Sequence, residues 1–232
     1  GSGSNYNNYF VVKFDSDFKA NYSSSVRVDK NSYAAYNGIL SITSDQNGNI
    51  FVGGKVTDTV KFYSSGSSSS SYTINRANAP SGCSFSVKMF LAKLSNQGSW
   101  SWVKTSSGSG FVTYDGESGS TTMSMYHNQN DDLYLLVRYN GAYCVSGTPS
   151  PGTYNRAETF GSSSVNFKCI VTQYSQSSYG VDCREKLILL KVGSTNSSIT
   201  QVLSSSDNME IQNPKITGIS DNVAISLVFT SR

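Results

Sequence analysis

One six-residue pattern occurs three times along this chain: Tyr9-Phe10-Val11-Val12-Lys13-Phe14, Met89-Phe90-Leu91-Ala92-Lys93-Leu94 and Leu187-Ile188-Leu189-Leu190-Lys191-Val192, each with lysine in fifth place. A chain with such recurrence is built of supersecondary units that bury their apolar faces against one another. The lysines stand 80 and then 98 residues apart. A common propeller blade repeats every ~40–45 residues, so each unit here carries an insert.

The likeness continues beyond the lysine strands. A turn (Asn96-Gln97-Gly98, or Gly193 to Asn196) leads to a second strand, Trp100-Ser101-Trp102-Val103 or Ile199-Thr200-Gln201-Val202. A hairpin belongs to each unit as well: Ile39 to Ile42, the turn Asp45-Gln46-Asn47-Gly48-Asn49, then Ile50 to Gly54. Its counterparts are Met123 to Met125 with Leu133 to Val137, and Ile216 to Ile219 with Val223 to Phe229. Even the inserts repeat, Tyr72-Thr73-Ile74-Asn75-Arg76-Ala77 returning as Thr153-Tyr154-Asn155-Arg156-Ala157. The arginine of that motif reads as a loop anchor on backbone carbonyls. Short Val, Ile, Phe, Tyr and Thr runs are separated by Gly, Asn, Asp and Ser, with no long amphipathic helical period. An all-β chain is expected, with four antiparallel strands per unit.

In their residues these units resemble the β-propeller repeats called SBBP repeats. The likeness rests on Phe90-Leu91-Ala92-Lys93-Leu94, the Asn96-Gln97-Gly98 turn, the Trp100 strand, Asp45 to Gly54, and the Phe160-Gly161 pair. It implies blade architecture and an extracellular setting, and no particular reaction. The turn His127 to Asp132 lacks the glycine and the third turn shortens to Asp221-Asn222, which suggests distorted blades there.

In this register residues 1–38 hold the lysine-strand half of a split unit, 39–120 a complete blade with a serine-rich insert, 121–213 a second, expanded blade, and 214–232 the start of a third hairpin. About three propeller-like units result, one divided between the termini. Rings typically need 4–8 blades, so the expected array is open or completed by other copies of itself or by the rest of a longer chain. A β-trefoil-like three-fold repeat is the alternative.

Charge narrows the partners. The 232 residues carry a formal charge of +3, with 14% charged side chains and no basic cluster dense enough to neutralise several phosphates. Nucleic acid is not an expected partner. No stretch reaches ~18 consecutive apolar residues, so no membrane-spanning helix is expected. Four cysteines, Cys83, Cys144, Cys169 and Cys183, lack Cys-x-x-Cys spacing and accompany a single histidine, so disulfides fit better than zinc. Cys169 and Cys183 bracket a hairpin, leaving Cys83 for Cys144; Cys144 with Cys183 is the competing pairing. Asn21-Tyr22-Ser23 and Asn196-Ser197-Ser198 are glycosylation sequons, consistent with secretion.

Catalysis finds little footing. His127 reads as a solvated turn residue, too isolated for a nucleophile–base arrangement. Asp115, Glu117, Asp131, Asp132, Asp182 and Glu185 are the carboxylates a propeller hydrolase would draw on. Asp131-Asp132 and Asp45 to Asn49 offer oxygens but read as hydrogen-bonded turns rather than calcium loops. Trp100 and Trp102 read as facing opposite sides of one strand, one in the core and one on a ligand or a neighbouring blade. No cofactor or metal is expected. Three functions are expected in descending order: a non-enzymatic extracellular structural or adhesive protein assembling with further copies as a filament or surface coat, a glycan-binding lectin, and a glycoside hydrolase.

Overall fold

The computed structural model describes residues 8–29, 37–76, 87–107, 111–112, 122–143, 151–161, 163–175, 178–193, 199–204, 209–219 and 222–231. These residues contain strands and turns and no helix. The first sheet orders β1 (Asn8–Phe14), β2 (Ala20–Val28), β5 (Val60–Tyr63) and β6 (Tyr72–Ile74). The second orders β3 (Gly38–Ser44), β4 (Ile50–Val56), β7 (Lys88–Leu94) and β8 (Trp100–Thr105). In the third, β10 (Thr122–His127), β11 (Asp132–Tyr143), β14 (Ser178–Gly193) and β15 (Ile199–Ser204) take the same places. The hairpin of β12 (Gly152–Phe160) and β13 (Ser163–Ser175) joins the first half of β14, and β9 (Phe111–Val112) pairs with the far end of β11. The fourth sheet is the hairpin of β16 (Met209–Ile219) and β17 (Asn222–Ser231). Among the described residues no sheet closes on itself, and the lysine strand β1 and the hairpin β16–β17 stand in separate sheets.

The sheets stack in chain order because the central strands β4, β7, β11 and β14 carry apolar residues on both alternating faces. Val11, Val26 and Phe62 of the first sheet pack on Val52, Phe90, Ala92, Leu94 and Trp100 of the second. From the second sheet's other face, Phe51, Met89 and Leu91 meet Leu133, Leu135, Ile188 and Leu190 of the third. Leu136, Leu187 and Leu189 then meet Ile216, Val223 and Ile225 of the fourth. A sheet with both faces apolar needs a neighbour on each side, since every buried Leu, Ile or Phe contributes about 1.5–3 kcal/mol. Gly53 lets the second and third sheets approach: a Cβ there would collide with Met123.

Four hairpin turns share one construction. The first residue's amide donates to the fifth residue's carbonyl at 2.8–3.0 Å, for Asp15 to Lys19, Asp45 to Asn49, Ser95 to Ser99 and Asn128 to Asp132. The fifth amide donates back to the first side chain, at 2.9, 2.8, 3.1 and 2.8 Å respectively. The fourth residue is left-handed each time: Phe18 (φ 59°), Gly48 (74°), Gly98 (85°) and Asp131 (65°). The missing glycine therefore does not distort the second hairpin, because aspartate tolerates this conformation and keeps the hydrogen bonds.

The inserts are latches. β5 extends the first sheet by pairing with β2, and the end of β12 reaches the residues after β8, where the Ser107 amide donates to the Thr159 carbonyl at 3.0 Å. Each insert thus holds the outer strand of the sheet before its own. The Arg76 guanidinium lies 3.9 Å from the carboxylate of buried Asp58.

Candidate functional site: the lysine column and the uncovered end strand

The repeated lysine has a structural task in two of its three copies. Lys93 stands opposite Phe51 in the β4–β7 ladder, and Lys191 opposite Tyr134 in the β11–β14 ladder. The Lys93 ammonium lies 5.2 Å from the Phe51 ring centre and 3.7 Å from Asp45 Oδ2; that of Lys191 lies 5.9 Å from Tyr134 and 2.8 Å from Asp132 Oδ2. Each cation therefore has an aromatic face and a turn carboxylate. The carboxylate moves from the first turn position (Asp45) to the fifth (Asp132), while Asn49 and Asn128 fill the places exchanged. Burial pushes the Asp45 carboxyl up, but hydrogen bonds from Asn49 and the charges of Lys93 and His127 outweigh it and hold the group below its usual range. The hydrogen bond to Asp132 holds the Lys191 ammonium above its usual range.

The third copy, Lys13, sits on β1, whose only ladder among the described residues is with β2. Phe10, Val12 and Phe14 stand on the outer face of that strand and are 59%, 38% and 55% exposed. Their counterparts, Phe90, Ala92 and Leu94 in β7 and Ile188, Leu190 and Val192 in β14, are buried against the preceding sheet. At the other end of the stack, β17 pairs only with β16 among the described residues. Its ten residues include neither a charge nor a proline, the usual guards of an open edge.

His127 is not a solvated turn residue. Its side chain is 3% exposed, stacks on Phe51 at 5.4 Å and 20°, and puts Nε2 at 3.1 Å from Asp131 Oδ1. Asp45, His127 and Asp131 place one donor atom each within 4.8 Å of one another, across the second and third sheets. These three are the described residues that could hold a metal ion. Asp45 already accepts from the Asn49 amide and, at 2.7 Å, from Asn49 Nδ2, with the Lys93 ammonium beside it. The Asp45 carboxylate is accordingly already engaged, and the cluster acts as a clasp between turns. Nothing in the sequence spacing announced it, because its members come from two hairpins.

Trp100 is buried in the core between the first and second sheets, and Trp102 is partly buried on the opposite face, against the cluster between the second and third. Residues two apart on a regular strand share a face; the bulge that sets Leu94 opposite Trp100 but Lys93 opposite Trp102 reverses it. Trp100 Nε1 donates to the Tyr63 carbonyl at 3.1 Å. Asn21 is exposed on β2. Cys83, Cys144, Asn196, Asp115 and Glu117 lie outside the described residues. Cys169 and Cys183 are directly opposite in the β13–β14 register, and Asp182 and Glu185 lie on β14. Asp131 and Asp132 belong to the turn already described.

No known family's sequence pattern matches this chain, and neither a curated protein nor a solved structure matches it.

Proposed function

We propose that this chain is a non-enzymatic, extracellular structural or adhesive protein of β-propeller-type repeats, whose open ends assemble with further copies into a filament or surface coat. The observation that carries this reading is the apolar stripe Phe10, Val12 and Phe14, exposed on β1 while the equivalent positions of β7 and β14 are buried. Contiguous apolar surface beside an open strand edge marks a place for another polypeptide. The extracellular setting draws support from the exposed sequon asparagine Asn21 and from the backbone register that sets Cys169 opposite Cys183. Opposed residues of an antiparallel pair have Cα atoms ~4.5–5.5 Å apart, within the span of a disulfide.

Sedimentation at micromolar concentration tests assembly. The chain is expected to run heavier than its 25.0 kDa mass, and Phe10→Ser with Phe14→Ser to return it to a monomer. A stable wild-type monomer would remove the basis of the reading.

A further inference from the structure

Resting on the reading that the ends assemble, we infer that β17 of one copy pairs antiparallel with β1 of a second copy. The fourth sheet of one copy then runs on into the first sheet of the other, in the order β16, β17, β1, β2, β5 and β6, with Val223 opposite Phe14, Ile225 opposite Val12 and Leu227 opposite Phe10.

The open place is defined by the other sheets. β4 and β11 occupy one position, each flanked by its hairpin partner on one side and a lysine strand on the other. Among the described residues β17 has the hairpin partner alone, and β1 is a lysine strand with that flank open. What each end lacks, the other end of the same sequence provides.

The register follows from the two ladders already formed. Asn49-Ile50, Asp132-Leu133 and Asn222-Val223 open the three corresponding strands. Ile50 lies opposite Leu94 and Val52 opposite Ala92; Leu133 lies opposite Val192 and Leu135 opposite Leu190. Carried to the third copy, this sets Val223 against Phe14 and Ile225 against Val12. Facing agrees independently. Val52 with Ala92, and Leu133 with Val192, point toward the preceding sheet, and Val223, Ile225 and Leu227 likewise point toward the third sheet. Pairing in this register turns Phe10, Val12 and Phe14 onto that same face and out of water. A slip of one residue would turn them away from it. Lys13 comes to lie opposite Ala224, so this copy lacks the ring found beneath Lys93 and Lys191.

A second copy fits the open place, whereas the chain's own end does not. Pairing within one chain would merge the first and fourth sheets and leave a ring of three, below the 4–8 blades that propellers use. Pairing with a second copy needs no ring to close within one chain, and it leaves the outer ends of the pair open to further copies.

Interchain cross-linking reads the register. Val12→Cys and Ile225→Cys are made in separate chains, mixed and mildly oxidised, and the linked peptides are identified by mass. Lys13→Cys with Ala224→Cys repeats the measurement on the other face. Both pairs are expected to link between chains. Val12→Cys with Leu227→Cys, displaced by two residues, is expected to give at least about tenfold less product, since cysteines whose Cα atoms are more than ~7 Å apart do not bridge. If the wild type sediments as a monomer, the assembly reading falls and this inference with it. An assembled protein that links only at the displaced pair, or at neither matched pair, overturns the register and leaves assembly standing. A double-cysteine chain that links within itself at high dilution overturns the second copy as occupant.

Discussion

β7 and β1 are nearly the same strand in different surroundings. Met89 to Leu94 and Tyr9 to Phe14 share an apolar pattern with lysine in fifth place, yet β7 is covered on both faces and β1 on one. The difference teaches that the pattern prescribes two buried faces whether or not a neighbour is present. Truncating equivalent phenylalanines separates the two conditions. Phe90→Ala removes a ring that packs edge-on against Phe62 at 5.6 Å and is expected to cost about 3–5 kcal/mol. Phe10→Ala is expected to change the stability of the dilute chain by no more than about 0.5 kcal/mol. Urea unfolding under dilute conditions measures both, and equal losses would break the comparison.

The two lysine–carboxylate pairs allow a finer contrast. Asp45→Asn keeps an acceptor for the Asn49 amide, as Asn128 does in the other turn, but leaves Lys93, 14% exposed, without its carboxylate. A loss of about 1–3 kcal/mol is expected, the worth of a hydrogen bond or contact to a charged group. Adding Asn49→Asp rebuilds the arrangement of Asn128 and Asp132, and recovery of at least half the loss would establish that the carboxylate's place is interchangeable. Acid unfolding sharpens the same point. Because Asp45 is held below its usual range, its contribution is complete above about pH 4, the ordinary carboxylate value, and is lost as pH falls through the folded-state value. The gap in midpoint between wild type and Asp45→Asn should therefore be constant from neutral pH to about 4 and shrink below it.

Most of the strands were legible because alternation and turn residues are local properties. The three lysine strands and the three hairpins lie where the residues place them. His127 was not legible: a polar turn is ordinarily solvated, and its burial comes from Phe51, contributed by a different sheet. That Trp100 and Trp102 face apart was expected, but its cause was not legible: the bulge is a two-strand property invisible in one strand. Nor did the missing glycine foretell Asp131, whose left-handed backbone copies Gly48. Substitution tests that equivalence. Asp131→Val puts a β-branched residue at φ 65° and should cost about 1–2 kcal/mol. Asp131→Gly relieves the backbone but gives up the contact with His127, so the opposing effects should leave urea midpoints nearly unchanged.

The smallest effect belongs to the exposed partner of this column. Lys191 and Asp132 are closer than Lys93 and Asp45, at 2.8 against 3.7 Å, but their side chains are 42% and 25% exposed. Water and mobile ions screen such a pair, and the two side chains give up rotamer freedom to hold it. Asp132→Asn is therefore expected to cost less than about 0.5 kcal/mol despite the shorter distance. Raising salt to about 1 M shortens the screening length to about 3 Å, which should erase that small loss while leaving most of the loss from Asp45→Asn in place. Urea unfolding of both variants at low and high salt decides whether burial or separation sets the strength of these pairs. A larger and salt-insensitive loss at Asp132 would mean that distance governs, and that the two turns are not the contrasting environments their exposures indicate.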